Sequence, residues 1–229
     1  MFAIFLISRI WILQHPPAKF SDVKEDYERY ANQWRYGLTP YREIMFEYPP
    51  AVIPLIALPL ELDQRGIGKY YLNYRVQTFA FEILLFSAMV FCVLYIQKEA
   101  NPKHAGLQDW RSWIPFIFYI GAGVLAKDYW YEGIDLVFLG SFTLGLMFVL
   151  VKHQTFVKRV FLWTFFWLSV AIKIMTAPLA FPIYLTKTLP WKKELLACIL
   201  GGVLVWGLPV VLYRSSLSVF VVFHANRPM

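Results

Sequence analysis

The sequence predicts an all-α, polytopic membrane protein of about seven transmembrane helices, with a long first extracytoplasmic loop that carries juxtamembrane helices. Three observations predict it. The 229 residues are 59% hydrophobic and 19% aromatic but only 16% charged, against about 25% charged in an ordinary soluble domain. The apolar excess is gathered into runs, among them 76–96, 136–151 and 195–212, which reach or approach the ~20 residues that cross a hydrocarbon core. The Lys and Arg residues fall in short segments between the runs, which is how membrane topology is written. The net charge of +7 therefore does not describe a phosphate-binding face, and nucleic acid is excluded as a partner.

In chain order the runs are 2–14, 76–96, 113–126, 135–151, 160–174, 177–186 and 195–212. The first lacks the basic leader and small-residue cleavage site of a signal peptide, and Arg9 interrupts it; it is expected to be a retained span. The run 177–186, broken by Pro178 and Pro182, is the weakest and suits one arm of a broken hairpin. Cys92 and Cys198 lie inside runs and read as small apolar residues rather than ligands or disulfide partners. The chain stops after His224 to Met229 with no closing element, so the single membrane domain 1–229 is expected to be a fragment of a longer protein.

Three short loops are basic: 97–112 with Lys98, Lys103 and Arg111; 152–159 with Lys152, Lys158 and Arg159; 187–194 with Lys187, Lys192 and Lys193. If the runs alternate, all three lie on one side, the cytoplasmic one. The segment 15–75, the turn around Lys127 and the C-terminal tail then lie outside. The apolar stretch 50–62 contains Pro50, Pro54 and Pro59. Were it to cross, every later loop would invert, so it is expected to lie along the outer leaflet.

The outer loop holds the densest carboxylates. Ser21 or Asp22 can cap a helix over 23–36, with Glu25 placed as a capping-box partner and Gly37 ending it. Asp22 and Asp26 are four apart and share a face. The plain reading of Asp22 is a cap; that of Glu25, Asp26 and Glu28 is a solvated face. Arg9 and Glu82 fall within runs, where ionisable groups are expensive; they are expected to pair and lock the first two spans. Asp128, Glu132 and Asp135 line the second outer turn, Asp135 as a helix cap or a substrate contact. Tyr27, Tyr30, Trp34, Tyr36, Tyr41, Tyr48 and Trp130 read mostly as interface belt.

The order Ser21-Asp22-Val23, Gly37-x-x-Pro40-Tyr41-Arg42-Glu43 and Phe46-Glu47-Tyr48-Pro49-Pro50 resembles the first outer loop of bacterial glycosyltransferase family 87. These are polytopic enzymes of the GT-C type. The order is similar, more distantly, to the catalytic subunit of glycosylphosphatidylinositol mannosyltransferase I. Asp128 to Asp135, then Ala171-Ile172-Lys173 followed by Pro178 and Pro182, resembles the family's outer acidic turn and Lys-then-Pro segment.

The resemblance implies transfer of a hexose, usually mannose, from a polyprenyl-phosphate donor to a lipid-linked glycan, glycolipid or other hydroxyl acceptor, with inversion. Asp22 occupies the position of the general base, with Asp26 second. Lys173, near the outer end of a span, is placed to meet the leaving phosphate or to snorkel. Arg42 is placed to pair with Glu47 or bind phosphate; Tyr48 and Asp135 are further substrate contacts, and His224 and Arg227 further phosphate contacts. Val23-Lys24 follows Asp22 instead of completing an Asp-x-Asp pair, so no metal ligand is assigned, no cofactor is called for, and a divalent cation stays open. The closer resemblance is bacterial, which implies a plasma membrane with the active site on its outer face and membrane lipids around it. A partner subunit is left undetermined.

Two other readings fit the same pattern. A lipid or solute transporter would use proline-broken spans, but no internal repeat is present and the carboxylates lie outside mid-membrane. A non-catalytic membrane subunit would need no site.

Overall fold

The computed structural model describes residues 1–16, 21–44, 46, 48–100, 110–151, 154–186 and 189–212. Among the described residues the fold is all-helical and contains no strand; one isolated bridge joins Pro40 and Ile44. The helices are α1 (Phe2–Gln14), α2 (Glu28–Arg35), α3 (Ile53–Gln64), α4 (Tyr70–Ala100), α5 (Ile114–Leu125), α6 (Asp135–Leu150), α7 (Phe156–Ile172), α8 (Ala180–Leu185) and α9 (Trp191–Leu212). A π-helical turn, Val23–Tyr27, leads into α2, and 3-10 turns at Pro50–Val52, Trp110–Trp113 and Ile174–Leu179 precede α3, α5 and α8.

Among the described residues one helix is long and apolar enough to cross a membrane: Tyr70–Glu99, within α4. Only 22% of its most apolar window is buried inside the protein, which is unlike the core helix of a soluble fold. The helices α1, α5 and α6, and the stretch Met175–Leu185, are apolar but shorter. Many side chains on the helix flanks are large, apolar and exposed, including Ile4, Ile7 and Ile10 on α1 and Ile199, Val203 and Leu204 on α9. Such a surface favours an apolar surrounding.

The helices meet through small residues. Gly140 of α6 lies against Phe81 and Leu85 of α4, Gly145 lies against Leu162 and Phe166 of α7, and Gly201 of α9 lies against Trp163 and Thr164. A methyl group at Gly201 would stand 2.7 Å from backbone atoms of α7, so the two helices approach as closely as their backbones allow, as small residues permit. Gly201→Leu is expected to push α9 away and cost about 1–3 kcal/mol, read as a lower midpoint of thermal unfolding in detergent. An unchanged midpoint would mean that the helices part freely.

The stretch after α7 turns back along it. Ser169 and Thr176 hydroxyls are 3.0 Å apart, and at the far end the Arg159 guanidinium donates to the Ile183 carbonyl at 3.5 Å. This is the broken hairpin that Pro178 and Pro182 suggest. Its return brings Thr186 to the same end as the start of α7.

Several element bounds differ from the expected ones. The helix α4 begins at Tyr70 and runs to Ala100, because the Asp63 carboxylate accepts from the Tyr70 N–H at 3.2 Å and starts the helix inside the expected loop. The helix α7 begins at Phe156, where the Thr155 hydroxyl caps it by accepting from the Lys158 N–H at 3.3 Å. Arg159 is therefore not a loop charge. It is fully buried and pairs with Glu194 of α9, so it is not available as a solvent-facing topology signal. The helix α3, twelve residues long, spans about 18 Å and packs beside α2 and α4.

Candidate functional site

The segment between α1 and α4 folds on an aromatic core. Tyr27, Tyr30, Tyr41 and Phe46 are all buried, with ring centroids of Tyr30 and Phe46 at 5.1 Å and of Tyr27 and Tyr48 at 5.5 Å. These tyrosines are not an interface belt; they form the interior of this segment together with Val23, Ile44, Val52, Ile53 and Ile56. Tyr36, at 81% exposure, does face outward. The turn 39–44 is closed by the Glu43 N–H donating to the Thr39 carbonyl at 2.9 Å and the Tyr41 N–H to the Ile44 carbonyl at 3.0 Å. It holds Tyr41 at φ +65°, a conformation few non-glycine residues adopt. The Tyr41 hydroxyl donates to the Tyr48 carbonyl and so fixes Tyr48 beside Tyr27.

On this floor stands the helix that begins after Ser21. The Ser21 hydroxyl accepts from the Lys24 N–H at 3.2 Å and donates to the Glu132 carboxylate. Ser21, not Asp22, therefore caps the helix, and Glu25 returns no bond to the cap among the described residues. Asp22 is left half-buried, with no hydrogen bond or ion pair among the described residues. Its carboxyl is held above the usual range, first by burial and then by the like charges of Asp26, Glu25 and Asp135, while Lys173 opposes the shift. Asp26 is bound at 2.6 Å by Arg29. Glu28 is also raised, by burial and then Asp63, so it is not a freely solvated side chain.

Lys173 ends α7 and its ammonium is paired with the Asp135 carboxylate at the start of α6. Asp135 makes no cap bond; the pair replaces the expected cap. Asp22, Asp26, Tyr48, Asp135 and Lys173 thus gather at one end of the helices, Tyr48 within electrostatic reach of Asp22 and raised by its own burial above all. Arg42 is exposed in the turn 39–44. Its proposed partner Glu47, and His224 and Arg227, lie outside the described residues. Among the described residues no group of three or more His, Cys, Asp or Glu is placed to hold a metal ion.

Among the described residues, three buried ion-pair networks tie the frame. Arg9 donates through Nε to Glu82 at 2.6 Å, and Tyr119, Trp130 and Tyr131 also donate to that carboxylate. The Arg9 guanidinium lies under Trp130, 4.8 Å from the ring centroid, so Trp130 belongs to this network and not to a belt. The expected Arg9–Glu82 lock is present. The second network escaped the sequence reading. Arg75, 1% exposed, stands 3.6 Å from Glu132 and donates to the Ile12 carbonyl at 2.8 Å, while the Tyr71 hydroxyl donates to Glu132 at 2.7 Å. Glu132 does not line a solvent-facing turn; at 4% exposure it joins α1, α4 and Ser21. The third is Arg159–Glu194 with the Trp163 indole donating to Glu194 at 2.7 Å. For this third pair the available signal was that Arg159 and Glu194, of opposite charge, each immediately precede an apolar run.

Two grooves are lined by described residues away from these networks. One, about 460 Å³, is apolar and runs between α7 and α9 over Trp167, Gly202, Val203, Trp206 and Val210. The other, about 360 Å³, lies between α2 and α3 and mixes Trp34 with Arg35, Glu61 and Gln64. Neither is lined by Asp22. No protein-family model, curated protein or solved structure matches this chain.

Proposed function

We propose that this chain is a multi-pass membrane glycosyltransferase that moves a hexose, mannose first, from a polyprenyl-phosphate donor to a glycolipid or glycan acceptor on the extracytoplasmic face. The observation that carries the proposal is Asp22: a half-buried carboxylate with no hydrogen bond or ion pair among the described residues, its pKa raised above the ordinary value first by burial, with the Lys173 ammonium within electrostatic reach. That combination suits a general base, whose efficiency is best when its pKa approaches the working pH. In the proposed step the acceptor oxygen bonds to the anomeric carbon and its proton passes to Asp22. The bond from that carbon to the phosphate oxygen breaks, and the lipid phosphate leaves with the electron pair. A single displacement inverts the centre. Lys173 offsets the charge that develops on the phosphate, exchanging Asp135 for it.

The α7–α9 groove supports a lipid donor. Trp167, which lines it, precedes Lys173 at the end of α7 by six residues, about 9 Å along the axis, so a polyprenyl chain lying on this apolar groove is proposed to carry its phosphate to the ammonium. The apolar helices α1, α5, α6, α7 and α9 and the stretch Met175–Leu185 are proposed to cross the membrane with α4, tilted or in locally thin bilayer, with α3 along the outer leaflet, Asp22 outside and Lys158, Lys192 and Lys193 inside.

The test is a membrane preparation given labelled polyprenyl-phosphate hexose. Appearance of label in a glycolipid or glycan is the expected result; flux of intact donor without transfer would favour a transporter. A second expectation concerns pH. Lys173 lowers the Asp22 pKa, so Lys173→Met removes an opposing charge and the pKa rises further. Activity needs the ionised carboxylate, so the acid limb of the pH–rate profile should move to higher pH in this variant, whatever happens to the plateau. An unmoved limb would separate Lys173 from the base.

A further inference from the structure

We propose that the groove between α2 and α3 is a saccharide subsite that holds neutral sugar units of the acceptor beyond the one attacked. The role assigned to the groove rests on the glycosyl-transfer reading; the binding itself does not. The lining has three parts. Trp34 supplies a half-buried indole face, and Ala31, Ala57 and Leu60 form an apolar floor. Arg35, Glu61 and Gln64 stand exposed around it.

Their partners are few. Arg35 and Gln64 make no hydrogen bond or ion pair among the described residues. Glu61 is met only by Arg65, at 3.9 Å, with both side chains largely exposed, a pair of little strength. Donors and acceptors of unspent capacity therefore converge on an aromatic face. The lining sets what kind of ligand fits. Arg35 and Gln64 offer donors, Glu61 and Gln64 offer acceptors, and the second guanidinium, Arg65, is already turned to Glu61 at 3.9 Å. A ligand that both donates and accepts through hydroxyls, and has an apolar ring face to lay on the indole, matches each part. The volume, about 360 Å³, lies within the range of small-molecule sites.

The position suits an extended acceptor. Trp34 is twelve residues from Asp22 along the same helical segment, about 18 Å. A free alcohol or a single sugar at Asp22 would not reach it; an oligosaccharide would. The acceptor class is thus a glycan of several units, not a bare lipid alcohol.

The experiment is equilibrium binding of mannotetraose and of chitotetraose to the full chain in lipid nanodiscs. At least one should bind with a Kd of about 1 mM or tighter. Trp34→Ala and Glu61→Gln should each weaken it about tenfold or more, and Asp22→Asn should leave it unchanged. Glu61 is exposed and outside the aromatic core, so its variant keeps the fold if that of Trp34 does not. Absence of binding by both probes, or wild-type binding by the Glu61 variant, overturns the subsite. Binding without any transfer from labelled donor would leave the groove standing and remove the enzyme. Transfer to a simple alkyl alcohol at the same rate with and without these substitutions, and no tetrasaccharide bound, would do the reverse.

Discussion

Asp22→Asn should abolish sugar transfer and leave the protein folded. The amide keeps the shape of the carboxylate but cannot take a proton, and losing a positioned base costs about 10²–10⁴ in rate. The fold should tolerate the change because Asp22 holds nothing: Ser21 caps the helix and Asp22 has no bonded partner among the described residues. A surface-like substitution of this kind falls within about 0.5 kcal/mol. The sign of any residual effect follows from the raised pKa. A carboxyl whose folded pKa exceeds its unfolded value favours folding below the unfolded pKa and loses that advantage as pH rises through the folded one. Asparagine should therefore match the wild type in acid and be slightly more stable near neutrality. Transfer of labelled sugar and thermal unfolding in detergent, measured on one preparation, check both halves. Turnover above about a tenth of wild type would move the base away from Asp22, and Asp26 would be the next residue to replace.

Removing one partner of the Arg9–Glu82 pair should be the most damaging structural change. Both side chains are fully buried, and the carboxylate accepts from Arg9, Tyr119, Trp130 and Tyr131. Glu82→Leu leaves a buried guanidinium and three other donors without their acceptor. Breaking a buried pair on one side costs about 3–5 kcal/mol, a large part of the ~5–15 kcal/mol that holds an ordinary domain together. Arg9→Met should be similarly severe, because it leaves the anion uncompensated. The double variant Arg9→Met, Glu82→Leu should lose less than the sum of the two, since no unpaired charge then stays inside; groups in one network couple by about 0.5–3 kcal/mol. Strict additivity in the thermal unfolding of the four proteins would show that the two side chains do not act as a pair.

Local chemistry was the legible part of this chain. Gly37 ends its helix as the residues around it foretell: at φ +85° it lets its own N–H reach the Trp34 carbonyl at 2.8 Å and the Leu38 N–H reach that of Gln33 at 3.2 Å, the closing pattern of a helix that needs a left-handed residue. The apolar runs became helices, with Pro54 in the first turn of α3 and Gly66, at φ +76°, just beyond its end. Arg9 and Glu82 could be paired in advance because a lone charge in an apolar run must find an opposite one. Arg75 and Glu132 could not, because each borders a polar segment where solvent is the simpler partner.

What the sequence by itself determined is the helical class, the main breaks between helices and the first buried ion pair. These follow from hydropathy, backbone chemistry and the cost of a bare charge, all of which act over a few residues. Only the tertiary structure decided that Ser21 is the cap, that the tyrosines between α1 and α4 are the interior of that segment, that Asp135 holds Lys173, and that Glu132 and Glu194 are buried. Those outcomes depend on which ends of distant helices meet. Asp22 stands apart because its neighbour Ser21 took the cap, leaving a carboxylate among like charges and one ammonium.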